Sequence, residues 1–99
     1  MKHFLVESTY LVPLATLETV RGAHRVYLQA GIDQGMVLCA GPQASGVGGV
    51  ILVRGDSQET IEAFFASDPY VREGFARYRY VEFKPVLHAP LLADWTGAA

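Results

Sequence analysis

The chain opens on strict alternation. Residues 3–12 put Phe4, Val6, Ser8, Tyr10 and Val12 on one side and Leu5, Glu7, Thr9 and Leu11 on the other, which is the period of a β-strand. Pro13, with no N–H to give a ladder, ends it. The period then becomes helical: Leu17, Val20, His24, Tyr27, Leu28 and Gly31 share one face, while Glu18, Arg25 and Gln29 lie largely on the solvated side. This helix is predicted from Leu14 or Thr16 to the Gly31–Gly35 region. Thr16 is its expected cap and Glu18 favours the positive end of its dipole. Residues 36–40 form a short apolar run closed by Gly41-Pro42, and residues 43–49 a loop of small side chains. Residues 50–54 complete a hairpin. Asp56-Ser57-Gln58-Glu59 has capping-box spacing, with Asp56 at N-cap and Glu59 at N3. The helix that follows turns Ile61, Phe64 and Phe65 inward and stops near Asp68-Pro69, because the residue before proline is pushed out of helical geometry. A last strand is expected over residues 78–86.

The order β-α-β-β-α-β predicts an α+β, ferredoxin-like layer: two helices on one face of an antiparallel four-stranded sheet. Several strands are apolar on both sides, Ile51 and Val53 against Val50 and Leu52, and Val81 and Phe83 against Tyr78 and Tyr80. At about 25 cal/mol per Å², leaving one such face wet forfeits several kcal/mol. The economical cover is a second copy, so a homodimer through the open sheet face is expected. Residues 1–87 make the domain. Residues 88–99 make a tail holding Leu91, Leu92 and Trp95, either docked against the dimer or frayed.

Composition narrows the function classes. Of the 99 residues 51% are apolar and 18% charged, as in an ordinary folded domain, and the net charge of −2 gives no footprint for nucleic acid. Arg77-Tyr78-Arg79-Tyr80 has the look of an RNA-binding strip, but the third strand lacks stacking aromatics. No apolar run approaches the roughly 20 residues that span a bilayer. The single Cys39, expected in the core, cannot form an intramolecular disulfide, and a cytoplasmic setting fits. His3, His24 and His88 are scattered and make no metal spacing. No cofactor motif is present: the glycines of residues 41–49 join two strands and lack the Gly-Lys-Ser/Thr of a P-loop.

The chemistry concentrates on His24. An imidazole on the inward stripe must find a polar partner, because leaving it unpaired costs roughly 1–3 kcal/mol. Asp68, three residues after Phe65 and four after Phe64, is placed on the apolar side of its own helix end. Helices on the same sheet face bring the two together. The aspartate then fixes one tautomer and leaves the second nitrogen to move a proton. Arg21, one turn before His24, is a candidate clamp for a substrate carboxylate or phenolate. Tyr27 and Tyr70 are candidate walls of a ring-sized pocket, and Gly41-Pro42 allow close approach to a ligand. Each also has a plain structural reading: a satisfied core histidine, a turn-forming aspartate, a solvated arginine, core aromatics and an ordinary strand end.

The ordered set Arg21-x-x-His24-x-x-Tyr27-Leu28, Ala40-Gly41-Pro42 and Asp68-Pro69-Tyr70 resembles the YciI-like (YCII-related) proteins, over about residues 3–87. Gly22 and Arg25 depart from the usual proline and apolar residue. The resemblance implies a dimeric α+β barrel with a His–Asp active site at His24 and Asp68. It also implies lyase or dehydrochlorinase chemistry on small hydroxylated rings. With no nucleophile–base pair and no metal set in view, the expected reaction is an elimination or isomerisation on a small, cyclic, oxygenated substrate. The rival is a non-catalytic ligand-binding or regulatory module in which the pair is a buried staple.

Overall fold

A computed structural model describes residues 1–97. Its elements are β1 (Lys2–Tyr10), α1 (Leu14–Asp33), β2 (Val37–Pro42), β3 (Gly49–Gly55), α2 (Gln58–Ala66), α3 (Pro69–Arg72) and β4 (Ala76–Phe83). A 3-10 turn (Pro90–Leu92) and the single turn α4 (Ala93–Thr96) follow. The sheet order is β2-β3-β1-β4, with every neighbouring pair antiparallel. This is the ferredoxin-like α+β arrangement, in which each helix carries the chain over an intervening strand.

Register explains the core. Phe4 faces Val53, and Val6 lies between Ile51 and Tyr80, so the alternation of β1 and β3 puts one continuous apolar stripe under the helices. Phe4, Val6, Val53, Ile61 and Phe65 are fully buried there with Leu28 and Val37. Gly31 sits inside α1 instead of ending it. A Cβ at that position would come within 2.7 Å of Phe64 and 2.8 Å of Val37, so the bare backbone admits both side chains. A second small core joins Leu17, Tyr70 and Ala76 to Tyr10, Val12 and Val20.

Several local expectations are corrected. Pro13, in extended geometry, is the N-cap of α1 without a side-chain cap bond, because its fixed φ presets the turn. Thr16 lies inside the first turn, where its carbonyl accepts from the Thr19 hydroxyl. Ser57 and not Asp56 caps α2, since Ser57 is the last extended residue and its Oγ accepts from Thr60 N–H at 3.1 Å. Cys39 is exposed and not core. Strand β2 is at the sheet edge, and a register irregularity between Val37 and Cys39 leaves Cys39 on the uncovered face beside Leu52.

That face carries Leu5, Val50, Leu52, Val81 and Phe83. The tail docks at one end of it. The Trp95 carbonyl accepts from Arg54 Nη1 at 2.9 Å and His3 Nε2 at 3.0 Å, and the indole meets the His3 ring edge-on at 4.9 Å. Among the described residues no helix is long and apolar enough to cross a membrane.

Candidate active site

An open cleft of about 680 Å³ lies between helix α1 and the β2–β3 side of the sheet. The helix contributes Arg21, His24 and Arg25, while the hairpin contributes Ala40, Gly41 and Pro42. Ser8 and Ile51 rise from the sheet. A close approach holds the hairpin in place: Gly48 lies so near β1 that a Cβ there would sit 1.7 Å from the Ser8 carbonyl oxygen. The adjacent Gly49 N–H donates to Ser8 Oγ at 2.7 Å.

His24 meets Asp68 across the helix layer. Its Nδ1 donates to Asp68 Oδ1 at 2.7 Å, and the carboxylate is fully buried. Asp68 takes two further donors, Tyr70 N–H on Oδ1 at 3.0 Å and the Tyr78 hydroxyl on Oδ2 at 2.5 Å. The local sequence accounts for this position. Helix α2 ends at Ala66 with Ser67 as its C-cap, and Pro69 at the first position of α3 makes Asp68 the N-cap of that turn. Satisfied on both oxygens, the carboxylate is held rigidly against a ring that is itself clamped. Tyr70 stacks on the imidazole at 3.7 Å between centroids and 7° between planes. With Nδ1 committed to Asp68, Nε2 is the nitrogen available to a cleft occupant.

The other nominated residues divide. Arg21, Gly41, Pro42 and Tyr70 line the same cleft as His24. Arg21 also reaches Glu18 at 3.5 Å, an exposed contact one turn back. Tyr27 is placed away from the cleft, its hydroxyl donating to the Phe64 carbonyl at 2.6 Å and its ring stacked on Phe64. Two participants were not legible beforehand. Tyr78 belongs to the last strand and its tyrosine–arginine strip, and no spacing in the sequence signals its bond to Asp68. Arg25 sits on the outward side of the helical wheel, yet its long side chain reaches the cleft wall. Among the described residues no cluster of three or more His, Cys, Asp or Glu is placed to hold a metal ion.

The phenols beneath the helices are held protonated. Burial pushes Tyr80 up to about 12, helped by the negative charges of Glu62 and Asp68. Tyr78 is raised further, first by burial and then by the Asp68 carboxylate it bonds. An unfolded tyrosine ionises near pH ~10, so above that the unfolded chain releases protons that the folded one retains. Stability from these groups is therefore intact below about pH 10 and declines as pH rises toward 12. Thermal melts across this range should show a falling Tm, with Tyr80→Phe flattening the decline. An unchanged Tm would contradict the burial of these phenols.

The fold and site together define a ferredoxin-like α+β domain with a histidine-lined cleft on its helical side. The family model described as YCII-related domain matches residues 1–84, and the chain belongs to that family. A similar solved structure is the 5-chloro-2-hydroxyhydroquinone dehydrochlorinase of Burkholderia phenoliruptrix AC1100, in complex with 2,5-dihydroxybenzoquinone. It aligns with a TM-score of 0.68 at 18% identity, covering 88% of this chain and 95% of that one. No curated protein matches significantly.

Proposed function

We propose that this protein is a small cytoplasmic enzyme performing general acid–base chemistry, an elimination or isomerisation, on a compact oxygenated ring. One observation carries the reading. A cleft-facing imidazole is paired at 2.7 Å with a fully buried carboxylate whose remaining bonds are satisfied by the protein. Asp68 accepts the Nδ1 proton and so presents the lone pair of Nε2 to the substrate. Nε2 takes a proton from a ring hydroxyl or carbon, and the released electron pair moves into the ring. In an elimination it expels a leaving group; in an isomerisation the proton returns at a different atom. Asp68 stabilises the imidazolium in between. Tyr70 holds the ring plane, and Arg21 clamps an anionic group of the substrate.

The ring-sized substrate has support from the similar dehydrochlorinase, whose structure holds a dihydroxybenzoquinone. A panel of hydroxyquinones, halogenated hydroquinones and small lactones, assayed with wild type and His24→Gln, tests the reading. Turnover that disappears in the variant while binding persists supports acid–base catalysis by His24. Equal turnover by both proteins overturns it. Binding without turnover in either protein favours the ligand-binding module.

The working unit in this reading is a homodimer joined through the open sheet face, because α1 and α2 cover only the other one. Its solution mass should be twice the 10.8 kDa of the chain, and Leu52→Lys on the uncovered face should return it to one. Light scattering that gives a monomer for the wild type would remove the dimer from the proposal.

A further inference from the structure

We propose that the cleft selects a ring carrying a carboxylate, with Arg25 and Arg21 holding that group while His24 faces the reacting bond. The proposal rests on the acid–base reading of the same cleft and names its substrate class. Charge is the first argument. Arg21 and Arg25 line the cleft and no acidic side chain does, since Asp68 is fully buried behind the imidazole. Arg25 makes no ion pair or hydrogen bond among the described residues. Arg21 has a long, exposed contact to Glu18 at 3.5 Å, which neutralises part of its charge. Between about one and two positive charges are left for an occupant. That charge suits an anionic substituent, and a planar guanidinium matches the two oxygens of a planar carboxylate.

Position is the second argument. Arg21 and Arg25 are four residues apart, hence neighbours on adjacent turns, where like charges repel. An anion seated between them turns that repulsion into attraction. Both also act on the Tyr10 hydroxyl, whose ionisation is disfavoured by burial and by Tyr70 and favoured by the two arginines. Tyr10, both arginines and His24 line the same cleft. One helical turn separates Arg21 from His24, roughly 5–6 Å between Cβ atoms, a span that a substituted six-membered ring can bridge. The carboxylate would lie at one end of the ring and the proton transfer at the other.

The test compares 2,5-dihydroxybenzoate with 2,5-dihydroxybenzamide, matched rings that differ in charge, by calorimetric titration of wild type, Arg25→Gln, Arg21→Gln/Arg25→Gln and His24→Gln. The acid should bind about tenfold tighter than the amide at low salt, with the preference shrinking as salt is added. Arg25→Gln should remove most of that preference and the double variant all of it, while His24→Gln should retain it. Acid and amide binding alike to wild type would overturn the carboxylate inference and leave the acid–base reading of the cleft standing. A preference surviving in the double variant would overturn the assignment to these arginines. If neither ring binds any of the four proteins, the ring-binding reading falls and this inference falls with it.

Discussion

Asp68→Ala is expected to destabilise the protein by about 3–5 kcal/mol, the range for removing one member of a buried pair. Three donors lose their acceptor together: His24 Nδ1, the Tyr70 N–H and the Tyr78 hydroxyl. Each donor left unsatisfied in a dry interior costs roughly 1–3 kcal/mol, and local relaxation recovers part of that. For a domain with a typical total stability of about 5–15 kcal/mol, this is a large fraction. Thermal denaturation should show Tm falling by tens of degrees, at roughly 4–8 °C per kcal/mol for a chain of this size. Asp68→Asn should be milder, because an amide oxygen still accepts from some of these donors. A shift of a few degrees in the alanine variant would mean that the carboxylate does not join the elements around it.

His24→Gln is expected to separate chemistry from architecture. Glutamine keeps a polar N–H able to approach Asp68 and roughly preserves the side-chain volume, so the melt should change far less than in Asp68→Ala. The amide has no lone pair of useful basicity, so turnover on a true substrate should fall by about 10²–10⁴, the usual worth of a positioned acid–base group. Steady-state kinetics and a melt on the same preparation decide the matter. If stability falls as far as in Asp68→Ala and turnover survives, the pair is a structural staple.

The main architecture was legible because periodicity carries it. The alternation of Phe4, Val6 and Ser8 and the stripe through Leu17, His24 and Leu28 gave the sheet, the first helix and the inward histidine. What escaped the sequence lay where local rules compete. Asp56-Ser57-Gln58-Glu59 offers two acceptable caps one residue apart, and the chain direction out of β3 chose Ser57. Cys39 has the hydrophobicity of a core residue, but exposure at a sheet edge depends on tertiary neighbours that spacing does not encode. Asp68-Pro69 marks a helix end by sequence rules, and α2 stops two residues earlier, at Ala66. Asp68 instead caps α3, and that role gives its carboxylate three donors. Tyr78 reaches Asp68 from β4, ten residues away and in another layer, so no pattern within either element announces the contact.

The two walls of the cleft differ in how freely they can diversify. One is anchored in the interior: His24, Tyr70 and Tyr78 all touch Asp68 or one another, and removing the Asp68 carboxylate that joins them disturbs the domain as a whole. The other is the β2–β3 hairpin, where exposed Ala40, Gly41 and Pro42 border the opening and two glycines fasten its base to Ser8. Neither Gly41 nor Gly46 has a neighbour within 4 Å of where a Cβ would point, although Gly46 has a positive φ that penalises other residues. A larger side chain at position 40, paired with cleft-lining Ile51, would grow into the cleft, whereas one at position 41, paired with Val50, would project from the uncovered face. Acceptance of new ligands is thus an inexpensive mutational change and loss of the proton-handling pair a ruinous one. A library randomised at position 40 should therefore yield mostly folded proteins that differ in what they admit.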